Sequence, residues 1–138
     1  MKIFPAIDIK EGKCVRLLKG NFNKITEYKK SPVEQAKEFY NLGFKNIHLV
    51  DLDGALEGNI INENIIKKIS EINEIKIQVG GGIRNSEHIK KLLDFGVDKV
   101  ILGTAAVENI DFLKSACEKF RNKIAISLDV RKGYIALS

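Results

Sequence analysis

No apolar run in this sequence approaches the roughly 20 residues that a membrane-spanning helix needs, and the short runs present are flanked by charge. The amino terminus, Met1-Lys2-Ile3-Phe4-Pro5, lacks a signal-peptide pattern and leads straight into strand-like sequence. The two cysteines, Cys14 and Cys117, form no Cys-x-x-Cys pair and have no histidine at metal spacing. A disulfide framework and a cysteine metal site are therefore not expected, and a reducing, cytoplasmic setting is. Metal constellation, nucleophile elbow and P-loop are all missing. Runs of positive charge interleaved with aromatics are missing too. The net charge is +5, but Lys67, Lys68, Lys90, Lys91, Lys114 and Lys119 alternate with acids along expected helix faces. That pattern argues for solvated surface over a nucleic-acid patch, and its modest positive field suits a small phosphorylated substrate.

What is present is the composition of a globular chain, 44% apolar and 30% charged over 138 residues. Strand-like runs at Ile3–Asp8, Asn46–Asp51, Ile75–Val79, Lys99–Leu102 and Ile124–Asp129 alternate with helical stretches. Ser31-Pro32-Val33-Glu34 reads as an N-cap, a first-turn proline and an early acid, opening a helix through Tyr40 that Gly43 stops. Asn62–Ile72 carries isoleucines at helical spacing. Asn85-Ser86 opens a third helix that Gly96 stops, and a fourth runs from Ile110 to Phe120. The segment 41–49 echoes 94–102, each a helix ending at glycine and feeding a strand. Such alternation predicts an α/β fold with a parallel sheet and helices packed outside it.

Period-two faces sharpen the expectation. Ile124, Ile126 and Leu128 oppose Ala125, Ser127 and Asp129; Ile3, Pro5 and Ile7 oppose Phe4, Ala6 and Asp8. The greasier face should meet helices, and the face ending in aspartate should line the interior of a curved (βα) barrel.

Active sites of parallel α/β proteins gather where the strands end. Three expected strands end in aspartate (Asp8, Asp51, Asp129) and two at glycine (Gly80-Gly81-Gly82 and Gly103-Thr104). Glycine loops leading into helices let backbone N–H groups approach an anion, so Gly81, Gly82, Gly103 and Thr104, with Arg84 nearby, form a candidate phosphate cradle. A tight turn needing positive φ is the alternative reading of the same glycines. Asp8 and Asp129, on opposite walls of a barrel, form a candidate acid–base pair; an N-cap or a salt bridge to Lys10 or Lys132 is the alternative. One such carboxyl must sit above the usual pKa of about 3.9 to act as an acid near neutrality. Asp51 either contacts substrate hydroxyls or holds the first strand's loop, and Asp53-Gly54 reads as a turn. His48, opposite in phase to Asp51, is expected to face the helices. His88 is expected to be solvated, Gln78 to be a polar interior residue, and Arg16 to lie on a surface hairpin unless it serves the site.

Five stretches, "PAIDIKEGKCVRLLKG", "HLVDLDGALEG", "QVGGGIRNSEHI", "VILGTAAVEN" and "ISLDVRKG", together resemble the histidine-biosynthesis isomerases that convert the aminoaldose ProFAR to the aminoketose PRFAR. The resemblance covers essentially the whole chain. It implies a TIM-type (βα) barrel and an Amadori rearrangement without metal or organic cofactor. By the resemblance, Asp8 is the general base, Asp129 the general acid, and Gly81, Gly82, Gly103 and Thr104 hold one phosphate of a bis-phosphorylated substrate. Arg16, Asp51 and Arg84 are implied to lie near that substrate. The sister cyclase of the pathway is the nearest competitor, but "VDLDGA" and "GTAAV" favour the isomerase. A full barrel takes about 250 residues, so residues 1–138 are expected to form one domain containing the first four βα units and the fifth strand. The second phosphate site and a tryptophan-bearing loop of the family have no counterpart. A catalytically silent half-barrel that binds phosphate, or self-associates through its open edge, is the alternative function. Neither nucleic acid nor membrane is an expected partner.

Overall fold

The computed structural model describes residues 1–136; Leu137 and Ser138, the end of the expected "RKGYIALS" hairpin, lie outside the described residues. Five strands form the parallel heart of the sheet: β1 (Ala6–Lys10), β4 (Asn46–Asp51), β5 (Lys76–Gly80), β6 (Lys99–Leu102) and β7 (Ile124–Ile126). Two further strands, β2 (Lys13–Leu18) and β3 (Asn21–Glu27), extend it antiparallel beyond β1, giving the order β3-β2-β1-β4-β5-β6-β7. Beyond β7 the strands β8 (Asp129–Arg131) and β9 (Tyr134–Ala136) form a separate hairpin.

Register assigns the faces. The pairs Ile7–Leu49, Ile47–Ile77, Leu49–Val79 and Val79–Val100 stack apolar residues across the parallel strands on one face, which Asp51 opposite Ile9 shares. Ile9, Ile47, Leu49, Ile77, Val79, Val100 and Leu102 on that face are essentially inaccessible to solvent. They pack beneath α1 (Pro32–Asn41), α3 (Glu63–Ser70), α4 (Ser86–Asp94) and α6 (Ile110–Lys119), whose Ala36, Ile66, Ile69, Ile89, Leu92 and Ala116 point inward. Burying each large aliphatic side chain contributes about 1.5–3 kcal/mol, so this single layer holds the sheet and helices together. The expected meeting of the greasier face with the helices is found, and the architecture is an α/β, TIM-type partial (βα) barrel.

Local chemistry explains the helix boundaries. Ser31 caps α1 in a reciprocal box, accepting from the Glu34 amide while Glu34 accepts from the Ser31 amide, with Pro32 in the first turn. Asn85 and Asn109 cap α4 and α6 through their side-chain oxygens.

Four local expectations change. The first strand begins at Ala6 instead of Ile3 and continues to Lys10, because it turns back through Glu11-Gly12, both at positive φ, into β2. Lys19-Gly20 and Lys132-Gly133 make the same kind of two-residue hairpin turn. Asp53-Gly54 is not a free turn but part of the short helix α2 (Leu52–Glu57), and a second short helix, α5 (Thr104–Glu108), precedes α6. Finally, the fifth strand ends at Ile126 instead of Asp129. Its partner β6 stops at Leu102, whose carbonyl accepts from the Ser127 amide, and beyond that bond no ladder remains to pair with.

Candidate functional site

The face opposite the helices carries a different set of residues. Ala6 and Asp8 of β1, His48 and Val50 of β4, Gln78 and Gly80 of β5, and Ile101 of β6 share it, with Ala125 of β7 in register. Gly80, Gly81, Gly82, Arg84, Gly103 and Thr104 line a cavity of about 160 Å³ at the strand ends, with His48 beneath and Ser127 and Asp129 at one side. Sites for whole drug-sized ligands run to about 300–1,000 Å³. The cavity is smaller than these.

The glycine triplet answers to packing as well as to access. Gly81 and Gly82 adopt positive φ of 108° and 74°. A Cβ on Gly81 would overlap the Asp51 carbonyl, and one on Gly82 the carbonyls of Asn59 and Gly54. Both glycines are thus required where the β5–α4 loop crosses the start of α2, whatever else the loop binds. Arg84 follows them, its guanidinium 3.6 Å from the Glu108 carboxylate at the end of α5. This partly exposed pair links the β5–α4 loop to the end of α5.

Asp8 sits half-buried on β1. Burial raises its carboxyl above the ordinary value of 3.8, opposed by the nearby His48. His48 is lowered from 6.5 by burial, opposed in turn by Asp8. Gln78 Nε2 lies 2.9 Å from His48 Nδ1. Behind them, burial and the Asp8 charge push the Cys14 thiol up to about 11. Asp8 borders a second depression, shared with Cys14, Tyr28, Gln35 and Phe39, and not the glycine-lined cavity itself. Asp8 on β1 and Asp129 on the hairpin beyond β7 thus border different cavities.

Two expectations are corrected. Asp51 does not face the interior: alternation puts it with Ile47 and Leu49 on the helix side, and it is completely buried. Its Oδ1 accepts from the Gly54 amide (2.9 Å) and Asn62 Nδ2 (2.7 Å), and its Oδ2 from the amides of Ile61 (2.8 Å) and Asn62 (3.0 Å). It caps α2 and holds the following loop. His48 takes the interior position expected of Asp51. Arg16 lies on β2 opposite Thr26, exposed, and lines no part of the glycine cavity. The tip of that hairpin borders a separate groove, where Lys19, Gly20 and Lys24 meet Arg131 of β8. His88 is half-buried, its Nδ1 accepting from the Arg84 amide (3.3 Å). His48 is the residue that sequence reasoning missed. The available signal was the oily phase of Ile47 and Leu49, which already fixed the opposite phase as interior.

Among the described residues, no group of three or more His, Cys, Asp or Glu is placed to hold a metal, and no helix is long and apolar enough to cross a membrane.

A family model described as "Histidine biosynthesis protein" matches residues 2–138. The chain is 58% identical over its full length to a protein of Pelagibacter ubique, 49% to one of Listeria welshimeri and 48% to one of Clostridium acetobutylicum. Each of these relatives is named as a 1-(5-phosphoribosyl)-5-(5-phosphoribosylamino)methylideneamino imidazole-4-carboxamide isomerase, and the chain spans 58% of the length of each.

Proposed function

Because this chain belongs to the histidine biosynthesis protein family, we propose that it carries the acid–base pair and one phosphate cradle of an aminoaldose-to-aminoketose isomerase acting on ProFAR. The observation that carries this reading is the sheet face shared by Asp8, His48 and Gln78, on which His48 lines a cavity formed by two glycine loops and Asp129. The names of the relatives support the substrate class, a bis-phosphorylated phosphoribosyl compound.

In this reading Gly81, Gly82, Gly103 and Thr104 hold one terminal phosphate through backbone and hydroxyl donors, with Arg84 supplying charge at the rim. Asp129 gives a proton to the ribose ring oxygen, the ring C–O bond breaks, and an open-chain Schiff base forms. Asp8 then takes the proton from the adjacent carbon, and the resulting enolamine is reprotonated to the aminoketose. Atoms and electrons balance without an external oxidant or cofactor. A carboxyl raised by burial suits the base, because a proton acceptor nearer neutrality is more effective than an ordinary aspartate. Arg16 lies outside the cradle on the β2–β3 hairpin, and Asp51 acts by holding the loop beneath the cradle.

The test is conversion of ProFAR by the full chain and by Asp8→Asn and Asp129→Asn. Turnover by the parent with a loss on the order of 10²–10⁴ in each variant is expected; equal turnover in all three overturns the assignment.

One observation favours a second reading. Ile126, Leu128, Val130 and Ile135 are each about half exposed or more, beside the unpaired edge of β7. Such an edge invites pairing, so a silent, phosphate-binding half-barrel that self-associates is the competing function. A dimeric native mass without turnover selects it.

A further inference from the structure

We propose that the amino-terminal rim of the interior sheet face is an anion site that takes a multiply charged phosphate through Lys2, Lys76 and Lys99. The site stands at the opposite end of the strands from the glycine loops and does not depend on the isomerase reading. Lys76 opens β5 and Lys99 opens β6, and register puts Lys76 beside Asn46 and Lys99 beside Gln78. Their neighbours Ile77 and Val100 are buried against the helices, so both lysines share the interior face with Asn46 and Gln78. Together with Lys2 and Asp98 these residues line a cavity of about 280 Å³. Gly80 closes β5 at its far end, about 13 Å from Lys76 along an extended strand. One phosphate group cannot span that distance.

The charge balance of the cavity is what asks for an anion. Three lysines and a single acid border it. Elsewhere Lys10, Lys13, Lys30, Lys45, Lys90 and Lys91 each lie within ion-pair distance of a carboxylate. Among the described residues, Lys2, Lys76 and Lys99 pair with none, Asp98 included. Glu74, close to Lys76 in the chain, is engaged elsewhere: it accepts from Tyr40 Oη at 3.0 Å and from Lys45 Nζ at 3.5 Å. Like charges sharing a concave site repel more than on open surface, since low-dielectric walls focus the field. A multivalent anion relieves that repulsion. The donor set favours phosphate over carboxylate. Among the described residues no arginine lines the cavity, so the planar fork that grips a carboxylate is missing, whereas ammonium groups act as point charges on a tetrahedral oxyanion. Asn46 adds an uncharged donor at the same rim.

The experiment titrates the full chain with pyrophosphate, following backbone amide shifts by NMR. Shifts are expected at Asn46, Lys76 and Lys99, with a Kd that weakens as salt rises. Pyrophosphate entering the glycine loops is reported separately, by the amides of Gly81, Gly82 and Gly103. Lys76→Gln combined with Lys99→Gln should weaken binding at the rim on the order of tenfold. Asp98→Asn, which removes the one acid, should tighten it. A gain of affinity cannot come from misfolding, so Asp98→Asn decides the matter if the double variant does not fold. Shifts confined to the glycine loops, unchanged rim affinity in a folded double variant, no tightening in Asp98→Asn, or citrate binding the rim as tightly as pyrophosphate each overturns the proposal. The titration needs no turnover, so its failure is separable from that of the isomerase assay.

Discussion

His48 and Asp51 lie three residues apart on β4 and point to opposite sides of the sheet: the histidine into the face that leads to the glycine loops, the aspartate into the helix layer. Odd spacing in an extended strand makes this unavoidable. The two residues consequently do different work. His48 lines the cavity, while Asp51 gathers backbone donors from Gly54, Ile61 and Asn62 with the Asn62 side chain. Asn62 Nδ2 also donates to Asp53 at 2.8 Å, and Asp53 accepts from the Glu11 amide at 2.7 Å. Asp51 thereby anchors α2 and the loop after it, and Asn62 with Asp53 carries the network on to the turn between β1 and β2.

Asp51 should accordingly behave as a stability residue. Asp51→Ala strands several buried donors and is expected to cost about 3–5 kcal/mol, read as a lower urea midpoint. Asp51→Asn should recover only part of this, because its amide presents donors to donors. A change in turnover with unchanged unfolding would contradict the assignment.

The glycine triplet divides cleanly by position. Gly81→Ala and Gly82→Ala each combine positive φ with backbone overlap against Asp51, Asn59 or Gly54, and are expected to lose about 3 kcal/mol or more. At Gly80 an added Cβ would stand 3.4 Å from Ile101 Cβ, so Gly80→Ala should cost about 1 kcal/mol or less. Equal losses at all three positions in thermal unfolding would show that the loop does not cross α2 as described.

These particulars mark how far the sequence could be read. Ile47, Leu49, Ile77 and Val79 alternate so regularly that strands, parallel order and helix-facing side followed directly. The error came from treating a terminal aspartate as the marker of the interior. That holds in phase for Asp8 but fails for Asp51, where the oily phase of its own strand outranks the cue. Asp129 was misplaced for another reason: Leu128 continues the apolar alternation, but a strand extends only as far as its neighbour, and β6 is four residues long. Arg16 was expected on a surface hairpin, but the turns at Glu11-Gly12 and Lys19-Gly20 lack the Asn-Gly or Asp-Gly signature, so the pairing of β2 and β3 onto β1 was not read.

The pH dependence of stability should have two limbs of opposite slope. Folded Asp8 keeps its proton above 3.8, its ordinary value. As pH rises from there through the raised native value, the folded state holds more protons than the unfolded one and stability falls. Asp8→Asn removes that penalty, so it should be more stable than the parent at pH 7 and converge with it below 3.8. His48 works the other way. Its folded pKa lies below 6.5, so stability is lost as pH falls from 6.5 through the native value. Urea midpoints across pH 3–8 for the parent, Asp8→Asn and His48→Gln would show both limbs; a flat difference between parent and Asp8→Asn would refute the first.

The two cysteines should separate by reactivity. Cys14 is 3% exposed, packed within the core beside Ile9, and its thiol is pushed up to about 11 by burial and by Asp8. At pH 8 the thiolate fraction of such a group is on the order of a thousandth, and the thiolate is the reacting species. Cys117, on α6, is exposed. A thiol reagent at pH 8 should therefore label Cys117 in the folded chain and reach Cys14 only as the fold opens. Adding urea should release Cys14 labelling in step with the loss of helix signal, and Asp8→Asn should speed it modestly at high pH by removing the charge that opposes the thiolate. Rapid labelling of both thiols in the native chain would mean that β1, β2 and α1 do not close over Cys14.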